Sequence, residues 1–592
     1  MAEWLKALVL KTSRRATVSG VRIPPPPPKK MKKEIEEIVE ELCSPNGEFP
    51  TKIVELNGYE YLAFDWGPKT LFEYFNLYKD HKNKEMIVYE DERWTYREAY
   101  EFSSAFANSL INDFGVKKGD RIAIASRNYP EWIFSFIAIT SIGAIAVPMN
   151  SWWTSKELEY GIKDSESKIL IVDEERLNRI SSLYKKNNLK IIVIRPDDKN
   201  HKNNWISYSR KYLSEKMPIF DINPVDDATI LYTSGSTGHP KGVCSSHKSI
   251  ISTLLQWMVV ATARNIKDDI ITNEEIQPSC LLTVPLFHVT GSHAQFMLSF
   301  LSGRKMVIMY KWDSEKALSL IEKEKITTLN GVPTMTLEVM RDESRKKYDL
   351  SSLKELSGGG AARPSSHVKE LKNEFPNASP GLGYGLTETN AAGAVISGDD
   401  YLNRPGSTGK PTPPLTKIKI VDSNHKECNE NEVGEVWIKS ITNFSKYWNN
   451  EEATNEAFFN DWFRSGDLGY LDEDNFLYIV DRAKDIVIRG GENISCLEVE
   501  DAINKHPNII EASVYGVPDE RLGEKLCCSI SLKELNDFDE SEFNIYLKDY
   551  IANFKIPQYY DLHENKLPRT ASGKIYKLRL RDETKAKLNI TD

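Results

Sequence analysis

The chain has 592 residues, 40% of them hydrophobic, which is too long for one compact domain and enough for several cores. A formal net charge of −9 argues against a nucleic-acid binder, which needs a positive face. Seven dispersed cysteines without zinc-site spacing, and ten histidines without an HExxH pair, argue against a zinc module and suit a reducing, cytoplasmic compartment.

Residues 1–30 read differently from the rest. A short apolar patch broken by Lys6 is followed by basic residues and five prolines, with no long apolar core of a secretory signal. The segment resembles peptides that arise when an upstream transfer-RNA gene is translated by mistake. The expectation is a disordered extension, not native, with Met31 as the true start. After it, "KKEIEEIVEEL" puts Ile35, Ile38, Val39 and Leu42 on one helical face.

Farther on, "WTYREAYEFSSAFANSLINDF" and "SEKALSLIEKEK" read as helices. The runs "RIAIAS", "KILIVD", "KIIVIR", "CLLTVPL" and "RKMVIMY" read as strands. The uncharged run 132–149 is marginal in length for a membrane span and is broken by Gly143 and Pro148. It predicts a buried helix followed by a short buried strand. Around 410–480 the pattern turns to antiparallel β, and after Asp481 to a small α+β unit. The adjacent Cys527 and Cys528 sit in an apolar run and read as core residues. The tail after Lys574 reads as charged and helical or frayed.

The most informative stretch is "LYTSGSTGHPKGV", 231–243. An apolar strand, "ATILYT", leads in, and a helix with Ser246 as its N-cap follows. Between them Gly235, Gly238 and Gly242 let backbone N–H groups turn toward one anion. Thr233, Ser234, Ser236 and Thr237 add hydroxyls and Lys241 adds charge. The GxxxxGK[ST] pattern is absent, so this reads as a phosphate loop of another type.

"YTSGSTGHPKG" resembles the signature of the adenylate-forming (AMP-binding) superfamily, in its acyl-CoA synthetase branch. The other family motifs follow in order: "PLFHVTG" at 285–291, "GYGLTET" at 383–389, "FRSGDLG" at 463–469, "DRAKDIVIRGGENISCLEVE" at 481–500 and "LPRTASGKI" at 567–575. The resemblance covers roughly residues 50–585. It implies an α/β fold: a large N-terminal domain of layered α/β sheets with a small β-rich subdomain, over 31–483, then a small mobile α+β domain over 484–592 that carries a catalytic lysine.

The resemblance also implies roles. Lys574 would bridge the carboxylate and α-phosphate oxygens. Glu388, with Thr233 as second ligand, would hold Mg²⁺ on ATP. Tyr384 would stack on adenine beside Gly385 and Thr387, and Asp467 would accept both ribose hydroxyls with Arg482 nearby. Gly359 and Gly360 would let backbone approach adenine and the acyl carbonyl, though "SGGGAARP" also reads as a plain tight loop. His288 would wall the acyl tunnel, and Lys484 would be the hinge. Gly490 and Gly491 would flank the coenzyme A passage, or form a β-turn.

The resulting expectation is an ATP-dependent ligase that makes an acyl-adenylate and then a coenzyme A thioester. Between Leu281 and Trp312 there is no Asp or Glu to pair a substrate amine, which favours a medium- or long-chain fatty acid. Alternatives are an aryl or short acid, a carrier protein as acceptor, or a nucleotide-binding protein without turnover. Partners are small molecules and not nucleic acid. No transmembrane segment is expected; peripheral membrane contact and a homodimer are left open.

Overall fold

The structure, a computed structural model, describes residues 33–180, 189–233, 240–270, 276–490, 492–534 and 538–590. The extension expected at 1–30 lies outside the described residues. Helix Ile35–Cys43 forms where the apolar spacing predicts it, with Ile38, Val39 and Cys43 buried.

Two large sheets dominate. One has seven strands: Arg121–Ala125, Ile145–Pro148, Ile169–Asp173, Lys190–Ile194 and Asp227–Thr233 run parallel, and Lys241–Ser246 and Lys446–Tyr447 extend it antiparallel. The other has nine, with a parallel block of Glu85–Tyr89, Lys305–Ile308, Ser279–Leu282, Thr328–Gly331, Glu355–Gly359 and Ser379–Tyr384 between antiparallel edges. Parallel strands are covered on both faces, which is why they read as unbroken apolar runs. Ile122 and Ile124 point into a core shared by the two sheets while Ala123 and Ala125 point into a separate outer one. Cys280 and Leu282 likewise face the shared core, and Leu281 faces another outer one.

The uncharged run resolves into helix Pro130–Ser141 and strand Ile145–Pro148. The helix is apolar around its whole circumference because it lies in the shared core. Trp132 stacks on Phe136 there with ring centroids 5.3 Å apart. Among the described residues no helix is long and apolar enough to cross a membrane.

A five-stranded antiparallel sheet follows: Lys417–Val421, Gly434–Lys439, Phe458–Phe459, Trp462–Leu471 and Leu477–Arg482. The chain then turns through 483–486 into the C-terminal unit. Its sheet joins Val487–Arg489, Glu492–Ile494, Ile509–Asp519, Gly523–Leu532 and Tyr559–His563, with helices Cys496–Asn504, Glu540–Leu547 and Lys577–Lys587. Cys527 and Cys528 are buried in it.

One local expectation needs correction. Gly242 is not part of a phosphate loop; it lies in strand Lys241–Ser246, opposite Tyr232. A Cβ there would come within 2.8 Å of Ile230 and 3.2 Å of Trp448, so this glycine serves close strand packing. The helix after it, His247–Lys267, begins as expected, with the Ser246 hydroxyl accepting from the Ser249 amide.

Trp132→Ala should therefore destabilise the protein by about 3–5 kcal/mol. Urea unfolding followed by tryptophan fluorescence measures it; a loss below about 1 kcal/mol would contradict a close-packed shared core.

Candidate active site

Three adjacent parallel strands of the nine-stranded sheet end on glycines and a tyrosine: Gly331, Gly359 and Tyr384. Carboxyl ends of parallel strands are where open α/β sheets bind ligands. Gly359 and Gly383 are register partners, so backbone without side chains lines this edge. The next residue, Gly360, has φ +75°, a left-handed conformation suited to glycine.

Lys574 lies over that glycine. A Cβ on Gly360 would sit 3.4 Å from Lys574 Cε and 3.5 Å from Nζ. The lysine is projected by a tight turn in which the Thr570 amide donates to the Lys574 carbonyl at 2.8 Å and the Gly573 amide to the Thr570 carbonyl at 2.9 Å. Gly573, at φ +86°, rests against Val332 and Met335; a Cβ would approach them to 3.0 and 3.2 Å. Thr334 Oγ1 donates to the Gly573 carbonyl at 3.1 Å. The C-terminal unit thus carries its lysine into the mouth of the large sheet.

Enclosure changes the charge chemistry there. Burial, reinforced by the Arg482 charge and opposed by Asp467, pushes the Lys574 ammonium down to about 8. Burial, with Lys574 adding to it, pushes the His288 imidazole down to about 3, so it is neutral at physiological pH.

Asp467 and Arg482 are register partners on adjacent strands. Arg482 Nε is 3.2 Å from Asp467 Oδ1, and the Tyr384 hydroxyl donates to Oδ2 at 2.7 Å. Burial raises the Asp467 carboxyl even though Arg482 and Tyr384 oppose it.

Glu388 lies in the short turn Thr387–Thr389 after Tyr384. Gly385 lets the chain fold back, since a Cβ there would meet the Ala391 backbone at 2.5 Å. The Tyr447 hydroxyl donates to Glu388 Oε1 at 2.8 Å, and the Phe444 amide to the Glu388 carbonyl at 2.7 Å. Burial raises the Glu388 carboxyl, offset in part by Tyr447. Lys241 Nζ stands 5.1 Å from the Tyr447 ring centroid, and Thr233 is the strand partner of Lys241.

The sequence candidates sort as follows. Lys574, Gly360, His288, Asp467, Arg482 and Tyr384 form one group around the lysine. Glu388 and Thr387 adjoin it in the turn after Tyr384, with Lys241 and Thr233 reached through Tyr447. Lys484 lies in the 483–486 turn, where the charges of Arg482 and Asp467 act on it. Gly490 sits at the tip of the hairpin between Val487–Arg489 and Glu492–Ile494 with φ +61°, its amide donating to the Leu522 carbonyl at 2.7 Å. The glycine packs there against Leu522, whose Cδ2 a Cβ would approach to 3.3 Å. Ser234, Gly235, Ser236, Thr237, Gly238 and Gly491 lie outside the described residues.

Sequence reasoning missed Tyr447, Thr334 and a buried relay behind Glu388. In that relay His293 Nε2 is 3.0 Å from Asn390 Oδ1, and Asn390 Nδ2 donates to the Thr442 carbonyl at 2.8 Å. A histidine two residues past "PLFHVTG" was the one available signal.

The site offers cations (Lys574, Arg482, Lys241) to a polyanion, and two carboxylates (Asp467, Glu388) held by tyrosine hydroxyls to hydroxyls or a hard cation. Among the described residues no three His, Cys, Asp or Glu side chains form a metal cage. The donor set fits a magnesium ion, which takes one or two protein ligands and otherwise phosphate and water.

Comparison with known proteins finds the AMP-binding enzyme family over residues 76–448 and the AMP-binding enzyme C-terminal domain over 498–574. The chain is 31% identical over 503 residues to a long-chain-fatty-acid–CoA ligase of Mycobacterium tuberculosis, covering 84% of this chain and 94% of that one. ATP-bound MatB from Rhodopseudomonas palustris superposes with a TM-score of 0.77 at 26% identity, over 88% of this chain and 100% of that one. The O-succinylbenzoate coenzyme A synthetase of Bacillus subtilis, in complex with ATP and magnesium ion, gives 0.71 at 27%, over 86% and 99%.

In the unliganded protein Lys574 should titrate with a midpoint near 8, below the ordinary lysine range. Its charged fraction then falls as pH rises through 8. NMR of ¹³C-methylated lysines, assigned with Lys574→Arg, reads this directly; an ordinary midpoint would show an ammonium open to water.

Proposed function

The chain belongs to the AMP-binding enzyme family, and from that premise we propose that it is an ATP-dependent acyl-CoA ligase acting on a medium- or long-chain fatty acid. The observation that carries the reading is the seating of Lys574 over Gly360, within the field of Asp467 and Arg482.

In the first half-reaction the acid carboxylate attacks the α-phosphorus of ATP. An acyl-adenylate forms and pyrophosphate leaves. Two anions must meet, so the dominant requirement is positive charge aimed at the oxygens where charge builds up. Lys574 bridges carboxylate and α-phosphate, and Arg482 and Lys241 serve the phosphates. Asp467 accepts the ribose hydroxyls, its two oxygens already oriented by Arg482 and Tyr384. The Tyr384 ring and the glycine edge receive the base.

Glu388, held by Tyr447, and Thr233 would hold Mg²⁺, which neutralises phosphate charge when bound. The relative in complex with ATP and magnesium ion supports the use of a magnesium ion. In the second half-reaction the coenzyme A thiol attacks the acyl carbonyl, AMP leaves with the phosphate oxygen, and the thiol proton is released to solvent. Gly490 and Gly491 are assigned to that passage and Lys484 to the joint between units split at 483/484.

The apolar acid is supported by the absence of Asp and Glu from 281–312. His288, neutral through burial, acts as a wall of the acyl pocket and takes no proton-transfer role. The M. tuberculosis relative, named for long-chain fatty acids, points the same way. The seven cysteines are all unpaired, which fits a reducing compartment such as the cytoplasm.

Pyrophosphate release with ATP, Mg²⁺ and coenzyme A should be fastest with unbranched fatty acids of medium or long chain. Faster release with any amino acid or aryl acid would overturn the substrate assignment.

Lys574→Ala should lower adenylate formation by about a hundredfold or more, the usual scale for a preorganised charge-stabilising group. Conversion of supplied acyl-adenylate by coenzyme A should persist. Lys484→Pro should do the reverse, because proline fixes φ at the joint. Equal loss of both halves in each folded variant would refute the division of roles.

A further inference from the structure

We propose that helix Pro333–Arg341 of the large unit is the seat that positions Lys574, with Thr334 and Glu338 as positioning residues for the first half-reaction. The inference rests on the ligase reading above and goes beyond it by assigning residues that no motif contains.

The helix has two faces. Met335, Thr336, Leu337, Val339 and Met340 are buried. Thr334, Glu338 and Arg341 fall at i, i+4 and i+7, one stripe on the opposite side. An ordinary surface helix would leave that stripe in water. Here every member reaches the C-terminal unit. Thr334 Oγ1 donates to the Gly573 carbonyl at 3.1 Å. Glu338 Oε2 is 3.0 Å from Lys566 Nζ, and Oε1 is 3.9 Å from Arg569. Arg341 Nη1 donates to the Ile510 carbonyl at 2.9 Å.

The groups that Thr334 and Glu338 receive are those that frame the lysine. Lys566, Arg569 and Gly573 belong to the strap that ends in Lys574, and Gly573 adjoins the lysine itself. Within its own unit the strap is held by Glu511, which accepts from the Leu567 amide at 2.6 Å and pairs with Arg569. Glu338 grips the strap from the other side. It is oriented in advance, because Trp312 Nε1 donates to its Oε2 at 2.7 Å from within the large unit. Gly573, at φ +86°, then rests on Val332 and Met335, which a Cβ would crowd at 3.0 and 3.2 Å.

A second contact joins the same two units beside Gly360. Helix Ser365–Glu374 has no cap from its own N-cap residue, Pro364. Asp501 of the C-terminal unit supplies one: its Oδ1 accepts from the Ser365 amide at 3.0 Å and from the Ser365 hydroxyl at 2.9 Å. Two helices of the large unit, Pro333–Arg341 and Ser365–Glu374, are therefore both hydrogen-bonded to the C-terminal unit.

The contacts differ in character, which gives distinct signatures. The Thr334 bond is neutral and partly enclosed, so Thr334→Val should slow adenylate formation about tenfold, independently of salt. Lys566 is exposed, so Lys566→Glu, which sets two carboxylates opposite each other, should slow it only about threefold, and less as salt rises. Thr334→Ser, which restores the hydroxyl, should recover most of the rate. Conversion of supplied acyl-adenylate by coenzyme A should stay at the wild-type rate in all three.

The experiment measures both halves, thermal unfolding, and the Lys574 NMR midpoint in each variant. The seat predicts that Thr334→Val moves the midpoint up toward the ordinary lysine value and that Thr334→Ser does not. Wild-type adenylation and an unmoved midpoint in Thr334→Val, or equal loss of both halves in folded protein, would overturn the proposal. If the wild-type chain itself releases no pyrophosphate with any acid, the ligase reading fails. The midpoint comparison then still decides the seat, since it needs no turnover.

Discussion

A half-buried ammonium, carried on one unit and seated against another, is the constraint behind the rest of this structure. Lys574 gains nothing from burial: desolvation disfavours its charge, and Arg482 adds like-charge repulsion. It stays over Gly360 because a glycine turn, a glycine floor and the field of Asp467 leave it space and one opposite charge. Each of these parts restricts its neighbours. Gly573 at φ +86° and Gly360 at φ +75° both hold left-handed conformations that suit glycine, and a Cβ on Gly573 would crowd Val332 at 3.0 Å.

The same enclosure acts on the acids. Asp467 and Glu388 are both raised by burial, and each is held by a tyrosine hydroxyl. Such a carboxylate is oriented before any ligand arrives, so little reorganisation remains when hydroxyls or a hard cation reach it. Tyr384 links the two acids along the chain, since its strand runs directly into the Glu388 turn. Behind that turn, His293 and Asn390 tie it to the segment after the acyl motif, and burial keeps the imidazole uncharged so that it can serve as a fixed hydrogen-bond partner.

Much of this was legible in the sequence where the signal is local. Parallel strands buried on both faces write themselves as apolar runs, and "ATILYT", "KILIVD" and "KIIVIR" became strands. Ser246 capped its helix, and Gly143 with Pro148 correctly split an apolar run that length alone would have left ambiguous. Gly242 misled because a glycine in a glycine-rich stretch looks like loop, whereas here it makes room for Ile230 and Trp448. The missed residues share a different property: their partners are distant in sequence. Tyr447 meets Glu388 across 59 positions, His293 meets Asn390 across 97, and Thr334 meets Gly573 across 239. A tyrosine in "SKYWNN" or a threonine in "VPTM" carries no pattern until the fold supplies the neighbour.

The character of the seam between the two units follows from the same physics. A unit that leaves its seat exposes whatever held it there. Apolar contact would make that exposure costly and would invite association with other chains. The stripe on helix Pro333–Arg341 is instead a hydroxyl, a carboxylate and a guanidinium, each of which water would satisfy were the C-terminal unit away. Asp501 illustrates the balance. As a cap it contributes about 1 kcal/mol to the docked arrangement, and its loss leaves helix Ser365–Glu374 with amides that water can reach. Contacts of this size can place a lysine to within ångströms while leaving the docked arrangement only modestly stabilised.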